Sequence, residues 1–139
     1  MQKIVLVSSV ILLCGTWLAC AQGSRSTSEG VFTEEQAKKG EAAYQARCAS
    51  CHGADLHSTD PEATELTDGS FKYSWQGKTI AEKFTVIRTT MPPKSGGSLD
   101  DQTYLDVVTY ILRFNGVRTG AQKLEPDIEI LKGITIAIP

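Results

Sequence analysis

A chain of 139 residues, 41% hydrophobic and 22% charged, is long enough for one compact domain and leaves no room for a second. Its formal charge of −2 is spread without any run of like charge, so nothing directs it to nucleic acid or to an anionic membrane surface. Of the four cysteines, Cys14 and Cys20 fall in the apolar N-terminal stretch, and the remaining pair, three residues apart, is no disulfide framework.

The chain begins with Lys3 and an apolar run from Ile4 to Leu18, the build of a secretory signal peptide over residues 1–21. Ala19-Cys20-Ala21 satisfies the small-x-small rule and predicts a mature chain starting at Gln22, exported to the periplasm. Lipid attachment at Cys20 is the alternative and the only route to a membrane; Trp17 and Leu18 before that cysteine speak against it. Ser8, Ser9, Gly15 and Thr16 dilute a run already shorter than the ~20 residues that an uncleaved span requires.

Residues 22–32, rich in Ser, Gly, Arg and Thr, read as a flexible tether. Thr33 with Gln36 predicts a capping box, and a helix to about Arg47 places Ala37, Gly40, Tyr44 and Cys48 on one face. Residues 53–78, punctuated by Gly53, Pro61, Gly69 and Gly77, read as loop with at most a short helical turn, and so long a loop must be pinned by something. Thr79 with Glu82 predicts a second capping box, opening a short helix with Ile80, Phe84 and Ile87 on its apolar face. Pro92 and Pro93 stop it at Met91. Ser98 or Asp100 caps a last helix whose stripe is Tyr104, Leu105, Val108, Ile111 and Leu112, ending at Gly116. Residues 117–139 form a C-terminal extension in which Ile134, Ile136 and Ile138 alternate, as in an extended segment. The predicted class is all-α: three to four helices over residues 33–116 with an extended tail. Their apolar content is thin for a bare core, and a large flat apolar ligand would complete it.

Cys48-Ala49-Ser50-Cys51-His52 is the attachment signature for a c-type haem. Two thiols one turn apart can each add to a vinyl group of one porphyrin, and the next residue presents an imidazole to the iron. A thioredoxin-like dithiol would need a βαβ context that the pattern lacks. A structural zinc on Cys48, Cys51, His52 and His57 would have to bend two adjacent residues onto one small ion.

The capped first helix with Gly40 and Tyr44, then Cys48-x-x-Cys-His52-Gly53, then Met91-Pro92 and a last helix carrying Tyr110-Ile111, resembles the class I cytochromes c over residues 33–116. That resemblance implies a cytochrome c fold around one covalent haem, with the first and last helices crossing closely at Gly40 against Val107 or Tyr110. More narrowly, Met91-Pro92-Pro93, Ser98-Leu99-Asp100-Asp101, Tyr104, Asp106 to Leu112, Asn115-Gly116 and Leu124-x-Pro126 are similar to the small cytochromes that accompany pyrroloquinoline-quinone dehydrogenases.

Met91 follows His52 by 39 residues in a loop stiffened by two prolines. Taken alone, a core-filling role would be the ordinary reading of a methionine. With the attachment motif and the resemblance, it is expected as the second axial ligand, a pairing that raises the reduction potential. His57, five residues after His52, is expected at the surface or beside a propionate. Tyr73 and Trp75 are candidate propionate contacts, because a buried ring with a polar atom needs a partner, with plain core packing as the alternative. Lys72, Lys78 and Lys94 read first as solvated lysines, and as a docking face only second.

The expected function is one-electron transfer by a carrier that is not an enzyme, with redox proteins as partners: a quinoprotein dehydrogenase as donor and a terminal oxidase as acceptor. Two alternatives remain open: an obligate cytochrome subunit of a dehydrogenase complex, and a ligand-binding haem sensor with an open iron position.

Overall fold

The structure, a computed structural model, describes residues 23–139; the expected signal peptide, with Cys14 and Cys20, lies outside the described residues. In chain order the elements are β1 (Arg25–Ser26), a 3₁₀ turn (Thr27–Glu29), α1 (Glu34–Arg47), α2 (Ala49–His52), α3 (Asp68–Trp75), α4 (Ile80–Thr90), α5 (Asp101–Phe114), α6 (Ile128–Lys132) and β2 (Ile134–Thr135). The fold is all-α, and the two short strands among the described residues are confined to its outer segments.

The Thr33 hydroxyl caps α1 by accepting from the Gln36 N–H at 3.1 Å, but the reciprocal half of the predicted box is absent. Gln36 is buried, and its amide is spent elsewhere: Nε2 donates to Asp106 Oδ1 and to the Leu124 carbonyl, both at 2.9 Å, and Oε1 accepts from Leu124 N–H at 2.9 Å. A buried amide must use its donors and acceptor, and doing so here ties α1, α5 and the C-terminal segment together. Thr79 and Glu82 do form both halves of the second box at the start of α4.

α1 packs across α5, and Gly40 marks the crossing: a Cβ there would overlap the Asp106 carbonyl and stand 2.9 Å from Val107 N. One turn further along α1, the Tyr44 and Tyr110 rings lie 5.2 Å apart. Asp100 caps α5 by accepting from Thr103 N–H at 2.9 Å. The predicted stripe of α5 is buried, and so is every residue from Tyr104 to Leu112. A helix covered all round needs a lid on its third side, and buried Leu124, Leu131, Ile134 and Ile136 are tail residues that join the same core.

Three expectations are corrected. The stretch read as loop contains α3, eight residues long, with Phe71 and Trp75 buried one turn apart and their rings 4.8 Å from each other. Gly69, Ser70 and Ser74 lower its helix propensity, and burial of the two rings overrides that. The stretch read as a tether is ordered from Arg25. β1 pairs in parallel with β2, the Thr27 hydroxyl exchanges hydrogen bonds with Ala137 N–H and carbonyl, and Val31 and Phe32 are buried. Local composition hid this because the partner strand lies more than a hundred residues away. Finally, the tail is not extended throughout, since Asp127 caps the short helix α6 within it.

Candidate haem site

Cys48 closes α1 and opens α2, donating its N–H to the Tyr44 carbonyl at 2.8 Å. Its own carbonyl accepts from Cys51 N–H at 3.2 Å and from His52 N–H at 3.0 Å. Cys48, Cys51 and His52 thus belong to one helical turn, which sets the two thiols on one face. Both thiols are free and half-buried. Gly53 ends the turn at φ 76°, and a Cβ there would overlap the His57 carbonyl, so the turn requires glycine twice over. The Tyr44 hydroxyl, fully enclosed, donates to the carbonyl of Gly53 at 2.8 Å, shared with that of His52 at 3.1 Å. Burial pushes the Tyr44 hydroxyl well above the usual tyrosine range, so it stays a donor at any physiological pH.

The His52 ring is oriented by a carbonyl: Nδ1 lies 2.8 Å from the Thr64 oxygen, a hydrogen bond that requires the proton on Nδ1. In that tautomer Nε2 carries the free lone pair. The loop carrying Thr64 is pinned at both ends, through Leu66 N–H donating to the Leu56 carbonyl at 3.2 Å and Asn115 Nδ2 donating to the Leu66 carbonyl at 2.9 Å.

Met91 caps the C-terminus of α4, donating its N–H to Ile87 at 2.9 Å, and its carbonyl accepts from the Tyr104 hydroxyl at 2.8 Å. Helix α5 thereby holds the Met91 backbone directly. Cys48, Cys51, His52 and Met91 all line one cavity of about 610 Å³, walled by Leu66, Trp75, Ile87, Val107 and Ile111. That volume falls within the ~300–1,000 Å³ of pockets that enclose a sizeable organic ligand. Its apolar walls, paired thiols, oriented imidazole and thioether fit a covalently bound haem. The dithiol alternative fits poorly: burial pushes the Cys48 thiol up to about 11 against the opposing pull of Arg47, leaving it protonated rather than poised as a nucleophile. The zinc set is not assembled, since among the described residues no three His, Cys, Asp or Glu side chains form a metal-binding group. His57 turns toward Glu65 and Asp68, at 3.5 and 3.8 Å.

The two ring candidates separate. Trp75 is 4% exposed and lines the cavity, whereas Tyr73 is 93% exposed and does not line it. The reason is helical phase: Phe71 and Trp75, four apart, share the buried face of α3, and Tyr73, two residues from each, points the other way. Lys72 reaches the Pro139 carbonyl at 2.9 Å and Lys78 stands 3.8 Å from Glu82, so both serve local contacts.

Sequence reasoning missed two groups here. The Thr64 carbonyl carries no side-chain signal. Lys83 lines the cavity with its ammonium 5.3 Å from the Trp75 ring centre, and burial, reinforced by Lys78, lowers its pKa. It did leave a signal, lying three residues after Ile80 and four before Ile87, on the apolar face of α4.

This fold and this attachment turn define a c-type cytochrome carrying covalently bound haem c, an electron carrier and not an enzyme. The chain belongs to the family described as cytochrome c oxidase, cbb3-type, subunit III, which matches residues 35–111, more than half its length, from α1 to most of α5. No curated protein and no solved structure matches it significantly.

Proposed function

We propose that this chain is a periplasmic one-electron carrier whose iron is held by His52 and Met91, taking electrons from a quinoprotein dehydrogenase and delivering them to a terminal oxidase. The observation that carries the axial assignment is the single cavity lined by both residues, each with its own brace: the Thr64 carbonyl on the His52 ring and the Tyr104 hydroxyl on the Met91 backbone. Bound haem supplies a metal that alternates between ferrous and ferric. The chain's part is to keep the ligand set the same in both states. Thr64 fixes the imidazole's proton on Nδ1, Tyr44 holds the attachment turn by its carbonyls, and Tyr104 with Pro92 restrains the segment that bears the thioether. Leu66, Ile87, Val107 and Ile111 exclude water from the walls, and a low-dielectric surround with a thioether ligand favours the reduced state. Export rests on the signal-like run from Ile4 to Leu18, and the quinoprotein donor on the resemblance of residues 91–126 to the cytochromes of those dehydrogenases.

A second reading is favoured by the family's own description: a cytochrome subunit held in an oxidase complex. No helix among the described residues is long and apolar enough to cross a membrane. Rapid mixing of the oxidised holoprotein with a reduced quinoprotein dehydrogenase tests the carrier reading. Reduction that saturates with dehydrogenase concentration, by a protein that elutes as a small free species, supports it. Failure to accept electrons in solution, with haem protein recovered only in a large membrane complex, favours the subunit.

A further inference from the structure

Two cationic side chains line the haem cavity, Arg47 and Lys83. Among the described residues neither takes part in an ion pair, although Asp60 and Glu62 also line the cavity. The two sit differently. Arg47 adjoins Cys48, and its charge acts on that thiol. Lys83 comes from α4, and the charges that act on it are Lys78 and Glu82. Its side chain is half-buried, with the ammonium over the face of a buried tryptophan. A cation–π contact offsets part of the cost of partly desolvating an ammonium, and an anion beside it would offset the rest.

Haem c has two carboxylates, its propionates, on the porphyrin edge remote from the two carbons that bond to cysteine. Attachment at Cys48 and Cys51 would commit the edge near Arg47 to the thioethers, and the carboxylate edge would then lie away from the attachment turn. From this we infer that Lys83 pairs with a haem propionate, held in place by the Trp75 ring. It is a positioning residue that also sets the potential. A propionate carboxylate stabilises ferric iron; a neighbouring ammonium cancels that field and favours ferrous iron. Exposed lysines outside the cavity would have a weaker effect that salt abolishes. The inference rests on haem c occupying the cavity and does not need Met91 to be the axial ligand.

The test is equilibrium redox titration of holoprotein at low salt and at ~1 M salt, where the screening length is about 3 Å. Lys83→Met is compared with Lys83→Arg and with Lys94→Met, an exposed lysine that does not line the cavity. Lys83→Met should lower the ferrous-to-ferric ratio at fixed potential by about tenfold, or ~59 mV for one electron, and the deficit should persist at high salt. Lys83→Arg should restore most of it, and Lys94→Met should leave the potential nearly unchanged. If Lys83→Met incorporates haem poorly, Lys83→Gln must show the same deficit. A haem stain after denaturing electrophoresis and the near-infrared sulfur-to-iron charge-transfer band of the oxidised protein, run on every variant, report attachment and axial ligation separately from the potential. A Lys83→Met potential equal to that of Lys94→Met, or a deficit that Lys83→Arg does not recover, overturns the pairing.

Discussion

The two walls of the haem cavity are built in opposite ways. The attachment wall, from Tyr44 to Gly53, is held by bonds that span four to nine residues: Cys48 to Tyr44, His52 to Cys48, and the Tyr44 hydroxyl to Gly53. The wall from α3 to Met91 is held by distant partners. Tyr104 fixes Met91, the Lys78 carbonyl accepts from Ile136 N–H at 2.7 Å, and Gly77 N–H donates to the Ile136 carbonyl at 2.9 Å. A wall of short-range bonds can form its ligand turn as the chain folds. The other depends on the tail being in place. The covalent ligands lie on the local wall, and the thioether and Lys83 lie on the wall held by distant partners.

The largest effect should come from breaking the local wall at its chemistry. Cys48→Ala with Cys51→Ala should abolish haem that survives acid-acetone extraction and, with it, the cooperative thermal transition, because the porphyrin forms much of so small a core. A protein that melts as sharply without covalent haem would contradict this.

Next is the crossing that carries the attachment turn. Gly40→Val should cost about 1–3 kcal/mol or somewhat more, measured by denaturant unfolding of the holoprotein, because the obstacle is the α5 backbone rather than a side chain that can turn aside. An unchanged midpoint would place the close approach elsewhere.

The attachment turn, the two caps of α4 and α5, and the buried stripe of α5 were legible in the sequence because each depends on neighbours within about a helical turn. The close approach at Gly40 came through the family resemblance and is where the structure has it. What was not legible depends on chain far away: β1 is a strand only because Ile134–Thr135 lies beside it, and Gln36 leaves its cap for Asp106 and Leu124. Tyr73 and Trp75 could not be told apart because the helix that separates them, α3, is weak in propensity and exists through burial of Phe71 and Trp75.

A smaller effect should follow on the distant wall. Tyr104→Phe removes one hydrogen bond to the Met91 carbonyl and should cost about 1 kcal/mol, while accelerating carbon monoxide binding to the reduced protein as the thioether segment loosens. Equal carbon monoxide rates in the two proteins would mean that Tyr104 does not restrain Met91. Smallest of all, Tyr73→Ala should shift stability by less than about 0.5 kcal/mol and leave the potential unchanged, since the ring is solvent-exposed and outside the cavity.

The most direct measurement is the near-infrared absorption of the oxidised protein, where a sulfur-to-iron charge-transfer band reports thioether ligation. The account predicts that band in the native protein, its loss in Met91→Ala together with a lower potential and ready carbon monoxide binding, and its retention in His57→Ala. A native protein without the band, whose iron opens to carbon monoxide in His57→Ala and not in Met91→Ala, would contradict the His52/Met91 pairing.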